Sequence, residues 1–240
     1  LLKEFGNLSK IFNATEEDFA RVAVKNHDNG FLNPKAHLQK RITIDDVMNS
    51  AVVASPLKLY DCCPFSDGAS SVILCSEKFA KENGNNYIEV IGSGRGGSPA
   101  ALQGREHMTT IPSTKIAAEN AYKMAGITAK DIDFAEVHDC FTIAEIVDTE
   151  DLGFFEKGKG VQAVREGRTK LNSDISINPS GGLKSKGHPI GATGVGQVVE
   201  VFDQLTGRAG ARTVKDAKIG LTHNFGATGA SCAVHIFQSV

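Results

Sequence analysis

Two hydrophobic periods alternate along this chain, and the places where one gives way to the other mark its elements. Thr15-Glu-Glu-Asp18 has the spacing of a capping box, with Asp18 in place of the preferred Glu or Gln. Phe19, Val22 and Ala23 then fall on one face of a helix that fades at Asn29-Gly30. Residues 30–55 are mixed and polar, with Pro34, and predict a surface excursion. Asp61 to Gly68 is turn chemistry leading into an apolar run, Ala69 to Cys75, that predicts a buried strand. Tyr87 to Ile91 predicts a second strand, leaving through Gly92-Ser-Gly94-Arg-Gly96-Gly97. A helix capped by Ser113 runs to about Ala125 and stops at Gly126. Phe134 to Val137 predicts a short strand that delivers His138-Asp139-Cys140-Phe141 to its end, and Ile143, Ile146 and Val147 mark the face of a helix stopping at Gly153. Asp174 to Ile177 predicts a strand, Thr193 to Gly207 a helix, and Ala217 to Thr222 and Ala230 to Phe237 two closing strands. From Tyr87 onward, strands alternate with helices until that last pair. This is an α/β layered pattern, with the unusual residues in loops at strand ends.

One echo changes the picture. Asp67-Gly-Ala-Ser-Ser-Val-Ile resembles Thr228-Gly-Ala-Ser-Cys-Ala-Val, each a turn entering an apolar strand. The repeat predicts a duplicated fold, with one copy over residues 81–240 and only residues 1–80 for the other. Chance similarity between two turn-to-strand junctions remains open on these residues alone.

Composition narrows the class. A chain of 240 residues with 41% hydrophobic and 22% charged residues is ordinary for a soluble globular protein. The net charge of −2 gives no reason to expect nucleic acid or an anionic membrane as partner. No apolar run is long enough to span a bilayer, and the first residues lack the layout of a secretion signal. Five cysteines without paired spacing argue for a reducing compartment, so a cytoplasmic location is expected.

The candidate chemistry centres on Asn178 to Gly194, NPSGGLKSKGHPIGATG. His188 is clamped there between Gly187 and Pro189, on a loop that ends where the Thr193 helix begins. Such a helix start favours a thiolate, oxyanion or phosphate nearby, although a glycine-rich turn with a solvent histidine is the plain alternative. Gly92, Gly94 and Gly97 spell a dinucleotide-type GxGxxG, but Pro99 and a glycine-rich stretch follow where a long helix is needed. These glycines are expected to form a strand exit that admits another loop. His138 and Cys140 have metal-ligand side chains but not zinc spacing, so no metal is expected. A Cys–His pair for nucleophilic chemistry fits the strand end better, with a buried apolar cysteine and a core histidine as the bland alternative. Thr222 to Ala230 is a third glycine-rich loop, where Gly226 could offer a backbone N–H to an oxyanion.

HDCF at 138–141, the 178–194 loop and HNFGATG at 223–229 occur in the order and spacing of the thiolase family. The chain resembles the C-terminal half of a thiolase and part of the preceding region. It is most like the sterol-carrier-protein-type and archaeal acetoacetyl-CoA thiolases, in which HDCF replaces an Asn-Glu-Ala-Phe loop. The resemblance implies a layered α-β-α-β-α fold of two similar halves, the first incomplete here. It implies an acyltransferase that condenses two acetyl-CoA, or thiolyses a 3-ketoacyl-CoA, through an acyl-cysteine. Coenzyme A thioesters are then the substrates, with no cofactor. His188 would take the nucleophile's proton and help hold the thioester oxygen, and His138 would complete that oxyanion hole through a water. Cys140 would be the acid/base, because Asn224-Phe225-Gly226 stands where other thiolases have Cys-x-Gly; Gly226 would keep the oxyanion role beside Asn224. Cys63, Ser180, Gly181 and Phe141 would contact substrate. None of the five cysteines fits the nucleophile's place, which implies a cysteine outside this sequence. The implied partners are a second copy in a homodimer or dimer of dimers, and a separate N-terminal half. Hydroxymethylglutaryl-CoA synthase and a zinc-ribbon/OB-fold protein are further partners implied by relatives. A non-catalytic subunit that binds acyl-CoA or scaffolds a partner is the alternative function.

Overall fold

The computed structural model describes residues 12–84, 86–101, 103 and 105–240, so the opening residues of the expected 1–80 unit lie outside it. Helix α1, Glu16–Phe31, starts where Asp18 Oδ2 accepts the Thr15 backbone N–H at 2.7 Å and its hydroxyl at 2.9 Å. Its predicted face, Phe19, Val22 and Ala23, is buried, but so are Lys25, Asn26, His27 and Asn29. A helix buried on a polar flank must find partners for it, and those partners lie in the site described below.

Residues 30–55 are more ordered than their polarity predicts. Thr43 caps a short helix, α2 (Ile44–Met48), and Ile42 and Val47 pack against Ala20 and Ala23 of α1. Two anchors in a polar run leave no period to read. A small antiparallel pair follows, β1 (Val52–Ala54) with β2 (Leu57–Lys58). The strand expected over Ala69 to Cys75 is not formed. That stretch pairs with nothing among the described residues, and Val72, Ile73 and Leu74 are 41%, 93% and 80% exposed. A strand exists through its ladder, and an apolar run with no neighbour cannot make one. Helix α3, Glu77–Asn83, ends this region.

The remaining strands are β3 (Ile88–Gly97), β4 (Phe134–Glu136), β5 (Ser176–Ile177), β6 (Ile219–Gly226) and β7 (Ser231–Ser239). They form one sheet in the order β3-β7-β6-β4-β5, antiparallel across β3, β7 and β6 and parallel across β6, β4 and β5. The helices are α4 (Pro112–Ala125), α5 (Thr142–Asp151), α6 (Gly160–Arg165), α7 (Gly182–Ser185) and α8 (Thr193–Leu205). Strand alternation assigns the two faces. Ala135, Val137, Val234 and Ile236 share a core with α4 and α5, whereas Phe134 and Phe237 pack with Val201 of α8.

Three local expectations need correction. The glycines at 92, 94 and 96 are inside β3, not at its exit, and a helix rather than a loop comes close. A Cβ there would lie 2.6 Å from Ala121 O, 1.9 Å from Ala117 O and 2.0 Å from Ser113 O, so α4 rests directly on bare strand backbone. Ser113 does not cap α4. Pro112, with φ fixed for the first helical position, follows Ile111 at the cap, and the Ser113 hydroxyl donates to Gly229 O at 2.7 Å. Residues 223–226 are strand, because β6 stays paired with β7 until Gly226 meets Ser231. The expected helix stops hold: Gly126 and Gly207 both have φ of +71°.

Because β4, β5 and β6 are parallel, their C-terminal ends open on one sheet edge. HDCF follows β4, the histidine loop follows β5, and Asn224 to Gly226 finish β6.

Candidate active site

His188 is held from both sides. Its backbone pairs with Phe65 in a parallel bridge, and its N–H donates to Ser66 Oγ at 3.1 Å. Its Nδ1 lies 2.7 Å from Thr193 Oγ1, at the start of α8. The Thr193 hydroxyl gives its only proton to Pro189 O at 3.0 Å, so it must accept from the ring. Nδ1 therefore carries the proton and Nε2 keeps a lone pair. Burial, then the neighbouring Lys186 charge, lowers the His188 pKa, so the ring is a neutral base. It lines a shallow cleft of about 270 Å³ with Phe65, Ser66, Asp67 and Ile190.

His138 faces it edge on, with ring centroids 5.1 Å apart, and rests on Phe225 at 4.5 Å. Burial, then His188, pushes its pKa down to about 3, against a smaller raising effect of the Asn224 side chain. Its backbone N–H points to Nδ1 of His223 at 3.4 Å, a long contact. His223 is wholly buried, with Nε2 2.9 Å from Thr114 Oγ1, and burial holds it at about 3. His223, a support under the HDCF turn, was missed by the sequence reading.

Below the loops lies a polar layer that the sequence reading left out. Asn178, with φ of 54°, ties the ends of β4 and β5 together: its Oδ1 accepts Val137 N–H at 2.8 Å and its Nδ2 donates to Glu145 Oε2 at 2.8 Å. Asn26 of α1 donates to Glu145 Oε2 at 2.8 Å and to Asp139 Oδ2 at 2.7 Å. Lys25 pairs with Glu145 Oε1 at 3.0 Å and donates to Ile177 O at 2.7 Å. Asp139 accepts Leu183 N–H at 2.7 Å, where a Cβ on Gly182 would come within 2.3 Å of its carboxylate. Burial, with Glu145 adding, raises Asp139 to about 7 despite that bond. The missed signal was Asn26 and Lys25 on the inner side of α1: buried polar groups on a helix imply partners.

The remaining candidates divide. Cys140 is half-buried, and its carbonyl accepts Cys63 N–H at 3.0 Å. Phe141 bridges to Cys62, so the 62–66 strip crosses both the HDCF turn and the His188 loop. Burial first, then Asp148, Cys63 and Asp139, pushes the Cys140 thiol well above its usual range, and burial raises Cys63 too. Asn224 is half-buried and donates to Gln197 Oε1 at 3.2 Å; Gly226 is exposed at the end of β6. Ser180 and Gly181 stand apart from this group. Both are buried, and Ser180 gives its hydroxyl to Glu136 Oε2 at 2.6 Å and its N–H to Glu136 Oε1 at 3.0 Å. Their contacts are internal, so a substrate role for them rests on the resemblance alone.

Two opposed histidines stand at one edge of a five-stranded α/β sheet, with Cys140 two residues after His138 in the HDCF turn and Gly226 at the end of β6. The chain belongs to the thiolase family: residues 94–239 match the model described as thiolase C-terminal domain-like. It is 50% identical over 227 residues to an acetyl-CoA acetyltransferase of Methanothermobacter thermautotrophicus, covering 95% of this chain and 59% of that protein. It is 38% identical over 235 residues to sterol carrier protein 2 of Bos taurus, covering 94% of this chain and 43% of the relative. Among solved structures, the Ltp2-ChsH2(DUF35) aldolase superposes with a TM-score of 0.88 at 24% identity, over 99% of this chain and 62% of that one. The Bacillus anthracis acetyl-CoA acetyltransferase gives 0.69 at 16% identity, over 98% and 58%. The fold is thus the thiolase fold in part, and the chain spans about three fifths of the first of these relatives. Among the described residues no helix is long and apolar enough to cross a membrane.

Proposed function

We propose that this chain supplies the acid/base and oxyanion side of a thiolase-type acyltransferase, an acetyl-CoA C-acyltransferase. The observation that carries the reading is the facing of two neutral histidines, His188 with an open Nε2 and His138, within one loop cluster that also holds Cys140. A neutral His188 can take a proton from an attacking cysteine, and a thioester oxygen gains from donors placed around it. The reaction joins two acetyl units, or cleaves a 3-ketoacyl-CoA, with coenzyme A thioesters as substrates and no resident cofactor.

The nucleophile is proposed to come from polypeptide outside this sequence. Burial raises the pKa of Cys62, Cys63, Cys140 and Cys232, which suits none of them to attack as a thiolate. Cys140 held as a thiol is in its acid form, ready to return a proton to the α-carbon of a leaving acetyl-CoA carbanion. Thiolysis calls on that form first. A second copy of the chain, and a partner protein of the kind named with the Ltp2 aldolase, would complete the assembly.

The test is brief exposure of the natively purified protein to labelled acetyl-CoA, then peptide mass spectrometry. Label on a cysteine outside this sequence supports the reading. Label on Cys62, Cys63, Cys75, Cys140 or Cys232 with turnover reassigns the nucleophile, and no label with retained acyl-CoA binding favours the non-catalytic subunit.

A further inference from the structure

One amide joins the first helix to the turn that carries His138 and Cys140. Asn26 of α1 is fully buried. One end of its side chain faces Lys25 Nζ at 2.5 Å, and the other faces two carboxylates, Asp139 Oδ2 at 2.7 Å and Glu145 Oε2 at 2.8 Å. An ammonium only donates, so the atom it meets is Oδ1, and the NH2 group gives one proton to each acid. Turned over, the amide would set its oxygen against two carboxylate oxygens.

Asp139 stands between His138 and Cys140, and its carboxylate accepts Leu183 N–H at 2.7 Å and Lys184 N–H at 3.3 Å besides Asn26. Among the described residues, Asn26 is the one side chain that donates to it. The rest of the turn is held through backbone: Val137 N–H by Asn178 Oδ1 at 2.8 Å, and the Cys140 carbonyl by Cys63 N–H at 3.0 Å. Both acids are fully buried, and Lys25 lies 3.0 Å from Glu145 Oε1. Without the amide, two carboxyl groups lose a shared donor where water does not replace it, and groups so deprived shift or take up a proton.

We propose that Asn26 is a positioning residue of the acyl-transfer site: its amide ties Asp139 to α1 and so fixes the turn that carries His138 and Cys140. The inference rests on the acyl-transfer reading for its purpose. The tie itself is tested without turnover.

In the complete enzyme, Asn26→Ala is compared with Val22→Ala, which truncates an apolar core contact of the same helix. Alkylation by iodoacetamide, followed by peptide mass spectrometry, reads each thiol. Cys140 reports the turn, and Cys232, buried in β7, reports opening of the whole sheet. In Asn26→Ala, Cys140 is expected to react about 10-fold faster relative to Cys232, and in Val22→Ala the ratio should not change. The kcat of Asn26→Ala should fall by about 10²-fold with KM within about twofold, while that of Val22→Ala stays at the parental level. Asn26→Ser keeps one donor, should fall between, and serves where the alanine variant does not fold. An unchanged ratio in a folded Asn26 variant overturns the proposal, as does a common quickening of Cys140 and Cys232. Failure of both variants to fold makes Asn26 a framework residue and overturns it too. A parent that transfers no acyl group while the ratio shifts sinks the acyl-transfer reading and leaves the tie standing.

Discussion

The rings of His138 and His188 meet edge to face at 5.1 Å, and each is held below its ordinary pKa of 6.5. Two imidazolium ions at that separation would repel, while two neutral rings can divide the work of base and positioner. The pair stays ready only if each keeps its tautomer.

Thr193 is the means for His188. Thr193→Val removes the acceptor of the Nδ1 proton at 2.7 Å while keeping the side chain's volume, so the ring loses its fixed orientation. In the assembled enzyme kcat should fall by about 10²-fold with little change in KM. Steady-state kinetics checks this; an unchanged kcat removes Thr193 from the account.

Cys140→Ser keeps the shape but puts the proton on a much weaker acid. Exchange of the acetyl-CoA α-proton in the complete enzyme should slow by about 10²- to 10⁴-fold, with binding retained. Exchange at the parental rate would eliminate Cys140 as the acid/base.

Burial of neutral histidines has a signature in stability. His138 titrates at 6.5 unfolded and at about 3 folded, so between those values the unfolded chain binds the extra proton. Stability from this group is complete above pH 6.5 and drains away as pH falls toward about 3. Asp139, raised to about 7, acts in the opposite sense and partly masks the effect in the whole protein. His138→Asn should therefore flatten the pH dependence of urea-unfolding free energy in the acid range, by up to about 1.4 kcal/mol per pH unit. Parallel curves for parent and variant would mean that His138 is not buried neutral.

The close approach of α4 to β3 gives a sharp contrast between neighbouring glycines. Gly94→Ala would put a methyl 1.9 Å from Ala117 O, whereas at Gly97 the nearest atom is 3.8 Å away. The first change should cost about 3 kcal/mol or more and the second less than about 0.5 kcal/mol in denaturant unfolding. Equal effects would contradict the packing described.

The 69–75 stretch should behave as unpaired backbone. Its amides are expected to exchange quickly with deuterium, and Ile73→Lys should improve solubility while leaving the thermal midpoint unchanged. Protection of Val72 to Leu74 as strong as that of β7 would show a ladder in place.

The elements with their own period were readable: α1, α4, α5, α8 and the closing strands all sit where their apolar faces put them. Of the loop residues, His188 and His138 are brought face to face. Two kinds of information were not in the pattern. The glycines of β3 read as a strand exit because a helix resting on strand backbone removes the same side chains that a loop leaving a strand does. Asn26, Asn178 and Gln197 were silent because a buried amide looks polar in sequence, and only the fold shows which carbonyl or carboxylate it answers. Ala69 to Cys75 went wrong for a third reason. Its composition suits a strand, but a strand's existence is decided by its neighbours.

The pairing of β3 with β7 bears on how the molecule is made. The register sets Ile88 against Ser239 and Gly97 against Ser231, so the first strand of the sheet waits for the last. During synthesis, β3 and α4 would leave the ribosome long before residues 231–239 and would have no edge to join meanwhile. Contacts so far apart in sequence slow folding and lengthen the time that apolar surface is open to solvent. This half of the molecule should depend on chaperones until β7 arrives, and a nonsense mutation that removes β7 should cost the whole sheet rather than one strand.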